Sequence, residues 1–287
     1  MNLIARKTNS SRELILLAPL GGDLTPFNGE IVGSNDYHAQ LLAQMQRLRG
    51  AVYLRDGAIQ SAELSPDLRH ITTADSGSWH LLTVTPSQKV VGCMRFCSYP
   101  NSISFDQLGV RESSIARSDE WGLAVRAAVE DEIERAQEAN FRYVEVGGWA
   151  LAEELRGTTE ALQLALATFA WSQLMGGALG IGTVTERNSS SSILRRLGGR
   201  SLEHRGSAIP AYYDEKYRCG MELLRFDSRS ANPRYAETVN QLQLKIAALP
   251  VISRTSPEPS PPLPGRTEVN WKALATPRDM FASFEYA

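Results

Sequence analysis

Long apolar runs and any surplus of charge are both missing from this chain of 287 residues. No stretch approaches the ~20 consecutive apolar residues of a membrane-spanning helix, so no membrane span is expected. A formal net charge of −2 gives no electrostatic case for nucleic acid or an anionic membrane surface. Cysteine is scarce: Cys93, Cys97 and Cys219 have no CxxC spacing and lie in strand-like runs, which reads as buried free thiols in a reducing cytoplasm. The four histidines show no metal-ligand spacing, and no metal site is expected. The run Leu14–Leu20 is too short for a signal-peptide core, and Glu13 and Gly21-Gly22 flank it in place of a cleavage pattern.

What the chain does have is ample hydrophobic content, 43%, arranged with clear periods. Residues 1–34 read as an N-terminal arm, irregular or forming an edge strand, and residues 35–226 as one α/β domain. Leu41, Leu42, Met45 and Leu48 recur at helical spacing from Asp36, the expected N-cap, to Arg49. Ser78–Pro86 and Lys89–Tyr99 are β-branched runs around Ser87-Gln88, a hairpin pattern. Ser118, Asp119 and Glu120 open a helix whose buried stripe is Trp121, Val125, Val129 and Ile133. Next come a strand (142–149), a loop with Arg156-Gly157-Thr158-Thr159, a helix apolar nearly all round (159–175) and a second strand (178–185). That order is a βαβ unit, which places ligands at the carboxyl ends of its strands, here between Trp149 and Thr159. A further strand is expected at 219–226, after the aromatic, charged stretch 212–217. Residues 227–287 read as a C-terminal extension, with a helix at 235–249 and a solvated Pro-rich linker at 250–265. Aromatics near its end (Trp271, Phe281, Phe284, Tyr286) suit either a disordered tail or a docking segment.

The order and spacing of two motifs resemble the GNAT superfamily of N-acyltransferases. Arg156-Gly157-Thr158-Thr159-Glu160-Ala161 stands where that family has an R/Q-x-x-G-x-G/A loop, and the stretch from Asn188 to Gly199 stands where it has N-x-x-A-x-x-L-Y-x-x-x-G-F. The implied fold is a mixed, mostly antiparallel, splayed sheet flanked by helices. The implied co-substrate is a phosphopantetheine thioester, acyl-CoA or acyl carrier protein, and no metal. Physically, the first turn of the 159 helix has free N–H groups for an anion, Gly157 admits close approach and Arg156 adds charge. A plain helix start capped by Thr158 or Thr159 would look the same. Glu160 sets an acid near the expected phosphate and Thr159 fills the family's glycine position, which tilts the reading toward a carrier-protein donor. Asn188 is either a pantetheine contact or an N-cap. Arg195 occupies the family's general-acid tyrosine position, leaving solvent, Tyr212, Tyr213 or unaided departure for the thiolate.

A closer resemblance, over about residues 36–200, is to acyl-homoserine-lactone synthases and related N-acyl amino acid synthases. Glu145-Val-Gly-Gly148-Trp-Ala-Leu151 is similar to their E-x-x-R-F-A-V stretch, Val91-Gly92-Cys-Met-Arg95 to V-G-x-x-R-L, and Arg49-Gly-Ala-Val52-Tyr53 to R-x-x-V-F. Asp75, before Trp79, falls near their acidic pair. The resemblance implies that Arg49, Asp75, Trp79 and Arg95 contact the acceptor, a small-molecule amine, and that the acyl carbonyl lies near the Trp149, Ala150 and Leu151 backbone. Glu145, set in an apolar strand, is the candidate general base, with a solvated or salt-bridged structural role as the other reading. Gly148 replaces the family's arginine, and its tryptophan has no counterpart near Ala58-Ile59, so an amino acid or similar amine fits better than a lactone precursor. The expected function is N-acyl transfer; the alternative is a non-catalytic acyl-thioester-binding protein of the same fold.

Overall fold

A computed structural model describes residues 12–100 and 102–255. The expected aromatic tail and most of the Pro-rich linker lie outside them. The elements in chain order are β1 (Glu13–Leu17), β2 (Ile31–Gly33), α1 (Asn35–Arg55), β3 (Trp79–Val84), β4 (Val90–Tyr99), α2 (Gly122–Glu138) and β5 (Arg142–Leu151). They continue with α3 (Thr159–Leu174), β6 (Ala178–Thr185), α4 (Ser190–Leu197), the short strands β7 (Arg200–Ser201), β8 (Glu203–His204), β9 (Ser207–Ala208) and β10 (Tyr212–Asp214), then β11 (Cys219–Asp227), α5 (Ala236–Ala247) and β12 (Val251–Ser253). One mixed sheet runs in the order β10-β11-β6-β5-β4-β3-β1-β12-β2.

Helices cover both faces. On one, α1 packs Leu41, Met45 and Val52 against Ile15, Leu82 and Ala150, and α2 packs Val125, Val129 and Ile133 against Tyr143, Leu179 and Leu223. On the other, α3, apolar all round as its sequence requires, is sandwiched between the sheet and α5, with Phe96 stacked on Trp171 at 4.9 Å. The N-cap of α1 is Ser34, not Asp36: the Ser34 hydroxyl accepts from the Tyr37 N–H, and the helix runs on to Arg55.

The boundaries expected at 34 and 226 do not divide the sheet. β1 is an interior strand, antiparallel to β3 and parallel to β12, and its continuous Leu-Ile-Leu-Leu run is what burial on both faces calls for. β12, expected as solvated Pro-rich chain, lies between β1 and β2. Three residues are too few for a period to show. Of the cysteines, Cys93 and Cys97 are buried free thiols as expected, and Cys219 is half-buried.

Two irregularities shape the site. β5 and β6 pair in parallel only from Arg142↔Ala178 to Glu145↔Ile181, although both strands continue, so they splay apart beyond Glu145. On the other edge of β5, the register with β4 slips between Cys93↔Ala150 and Arg95↔Gly147, a β-bulge with Gly148 at φ +64°. The extra residue resets the alternation, so that Trp149 packs with the α3 side and Ala150 with the α1 side. Only glycine adopts the bulge conformation without strain, and a Cβ at 148 would stand 3.1 Å from the Arg95 Cβ. The arginine that the resembled family carries where Gly148 stands would be strained in this conformation and would crowd Arg95.

Candidate active site

The splay opens into one cavity of about 1090 Å³. One end lies among α1, the 70–74 loop and the 106–112 loop; the other reaches Arg156, Gly157, Arg187 and Asn188. Between them runs β5 from Glu145 to Leu151.

Strand geometry puts Arg95 and Glu145 on one face of the sheet, both lining the cavity. Arg95 sits opposite Gly147, and Glu145 is two residues from Gly147 on the same strand, so both side chains rise from one face of the sheet. Gly147 has no side chain to block the guanidinium, whose Nη2 lies 3.7 Å from where a Cβ would be. Arg95 Nη1 donates to Thr72 Oγ1 at 2.9 Å and lies 3.5 Å from Asp75 Oδ1, while its Nε is buried without a partner. A planar fork with one edge unused is suited to a carboxylate.

The Glu145 carboxylate accepts from the Gly109 N–H (2.9 Å), the Val110 N–H (2.8 Å) and the Tyr99 hydroxyl (2.5 Å). It thereby caps the 3₁₀ turn Gly109–Glu112 and fixes one wall of the cavity. Three accepted bonds leave about one of the roughly four lone-pair positions of a carboxylate for water or substrate. Its partner Tyr99 has its phenol pushed well above the usual value by burial and by the neighbouring carboxylate. Tyr99 could have been found by alternation, since residues 95, 97 and 99 share a strand face.

Arg49 and Asp75 are placed elsewhere than expected. Arg49 is 1% exposed and every nitrogen of its guanidinium is engaged: Nη1 and Nη2 on Asp75 at 2.8 and 2.6 Å, Nη2 also on the His70 carbonyl at 2.5 Å, Nε on His70 Nδ1 at 3.2 Å. Asp75 also accepts from Gln46, the Thr72 N–H and the Thr72 hydroxyl. Those bonds hold its carboxyl well below the usual carboxylate range despite burial. Neither group has a hydrogen-bonding edge left for an acceptor; together they brace the cavity floor. His70, accepting through Nδ1, is held neutral, its pKa lowered to about 4 by burial and the Arg49 charge. Trp79 is a core residue, 3% exposed, tilted against Phe27 at 5.0 Å and Trp171 at 6.3 Å.

At the other end Thr158 precedes α3 without capping it; its hydroxyl turns back to the Leu155 carbonyl at 2.7 Å. Thr159 begins the helix, and no side chain accepts from its first-turn N–H groups. Glu160 is drawn off by Arg12 at 2.6 Å. Asn188 is not the N-cap of α4 but a left-handed residue (φ 54°) whose side chain reaches Asp56. Arg195 is tied to Glu222 and Ser201. Tyr212 and Tyr213 do not line the cavity; Tyr217, which the sequence did not single out, does.

No protein-family model matches the sequence, and no curated protein matches it. Solved structures do resemble the fold. A CoA-dependent acyl-homoserine lactone synthase, BjaI, with MTA is 15% identical, with 86% of this chain and 95% of that one covered at a TM-score of 0.50. The same synthase with SAM and isopentyl-CoA gives 14%, 86%, 95% and 0.50. FeeM, an N-acyl amino acid synthase from uncultured soil microbes, gives 11%, 74%, 94% and 0.43. The chain has the GNAT-like N-acyltransferase fold, a large mixed sheet splayed beside β5 and flanked by helices.

Proposed function

We propose that this protein is an N-acyltransferase that moves an acyl group from a phosphopantetheine thioester to the amine of an α-amino acid. The observation that carries the reading is the one cavity that joins Arg95 and Glu145 to the Arg156-Gly157 loop along the gap between β5 and β6. A thioester threaded from the loop brings its carbonyl to the edge of β5 that has no β6 partner, where an N–H of residues 149–151 supplies the oxyanion donor. Arg95 binds the acceptor carboxylate, and Glu145, directly or through one water, takes a proton from the ammonium. The amine then forms the C–N bond, the nitrogen sheds its second proton to water as the amide forms, the C–S bond breaks, and the thiolate leaves with a proton from solvent or from Tyr217.

The three hydrogen bonds to Glu145 also favour a second reading, in which the fold binds the thioester without turning it over and Glu145 serves only as a tether. A single-turnover assay with acyl-CoA or acyl carrier protein and a panel of amino acids separates the two. Acyl transfer predicts N-acyl amino acid by mass spectrometry, with Arg95→Met raising the acceptor KM about 30- to 100-fold, the worth of a charged bidentate contact. Glu145→Gln turns an amide NH₂ toward main-chain donors and is not a clean removal of the base. Thioester binding with no product from any amine would leave only the binding reading.

A further inference from the structure

Asp56 immediately follows α1, at the negative end of the helix dipole, where an acid is disfavoured. Its environment is explained instead by three converging donors. The carboxylate accepts from Arg55 Nε at 3.0 Å, Arg156 Nη2 at 2.8 and 3.0 Å, and Asn188 Nδ2 at 3.0 Å, while Arg187 Nη1 donates to its carbonyl at 2.8 Å. These groups come from the end of α1, the β5–α3 loop and the β6–α4 turn, and Asp56, Arg156, Arg187 and Asn188 all line the cavity. Under the proposed function this is the end that receives the donor's phosphates, and it already holds an anion of the protein's own.

We infer that Asp56 is an internal counter-anion that sets donor choice by charge, favouring a singly charged phosphodiester, as on a carrier protein, over the multiply phosphorylated coenzyme A. An incoming phosphate shares Arg156 and Asn188 with the Asp56 carboxylate. Each additional negative charge brought within ~6 Å is repelled, weakening binding by about three- to tenfold where solvent keeps the dielectric close to that of water, and by more where it does not. A phosphodiester meets that repulsion once; coenzyme A, with a diphosphate and a 3′-phosphate, meets it several times. The inference rests on the reading of this end as the phosphate cradle.

The test is calorimetric titration of the full chain, wild type, Asp56→Asn and Asp56→Ala, with coenzyme A and with phosphopantetheine methyl phosphodiester, neither of which requires turnover. Asp56→Asn is expected to bind coenzyme A about tenfold tighter and the phosphodiester at most about threefold tighter. In the wild type, 0.5 M salt should narrow the gap between the two ligands, since it screens exposed charges beyond a few ångströms. Equal tightening of both ligands, weakening or no change in both variants, or a wild-type gap that salt leaves intact would overturn the selection by Asp56. No binding of either ligand by any form would overturn it together with the cradle. Product formation in the single-turnover assay is independent of these outcomes, so failure of the Asp56 inference and failure of acyl transfer can be told apart.

Discussion

The two ends of the cavity carry the same ion pair in opposite settings. Arg49–Asp75 is 1% and 3% exposed, closed on both sides by further hydrogen bonds; Arg156–Asp56 is 38% and 17% exposed and faces the cavity. Burial decides what each can do. The inner pair has no spare donor and exchanges with nothing, so it serves as framework; the outer pair is wetted and can trade one anion for another. Residue type alone does not separate them, which is why the inner arginine was expected to bind substrate.

The largest test of this contrast is to break the inner pair. Arg49→Ala removes the two-pronged partner of the buried Asp75 carboxylate and leaves it only the longer contact with Arg95, at 3.5 Å, as counter-charge; stability should fall by about 3 kcal/mol in urea titration, with Arg49→Lys little better because an ammonium cannot span both oxygens. A loss under about 1 kcal/mol would make the inner pair as dispensable as a surface one.

A smaller effect is expected from acid. His80 donates Nε2–H to the Asp75 carbonyl at 2.8 Å and has Nδ1 buried without a partner; burial lowers its pKa to about 4, as burial and Arg49 do for His70. Between about pH 6.5 and 4 the unfolded chain therefore binds more protons than the folded one, and stability falls as pH falls through that window. The fully buried His80 should account for most of a loss of about 3 kcal/mol, with His70 adding less because it is half-exposed. Melts in His80→Gln should show a flatter profile over this range; an unchanged slope would remove His80 from the account.

The smallest effect belongs to the outer pair. Arg156→Ala should change stability by less than about 1 kcal/mol, as exposed pairs do, while weakening donor binding. A large drop in melting temperature would mean that the outer pair, too, is framework.

Much of the architecture was legible because it rests on local pattern. β6 begins after Gly176-Gly177 and spans the expected residues, and α3 begins at Thr159 as its all-round apolar sequence suggests. The alternation of Arg95 with Tyr99, and of Glu145 with Gly147, also carries their shared face. What alternation cannot carry is a bulge, since one inserted residue moves Trp149 to the other side of β5. Nor does local pattern reveal partners. Trp79 was expected, by resemblance, to contact the acceptor, and only packing against Phe27 and Trp171 makes it core. Asp56 carries no local signal of a role, because Arg156 and Asn188, which hold it, come from distant parts of the chain.

The seat of β12 beside β1 has a consequence for biosynthesis. Leu16 finds Val251 as its neighbour, so one flank of the earliest described strand stays bare until residue 251, more than 230 positions later, has left the ribosome. During that interval a sticky apolar ribbon is open to mispairing with another nascent chain. Translation that stops short of Val251 should therefore yield aggregates, even though every residue lining the cavity has already been made.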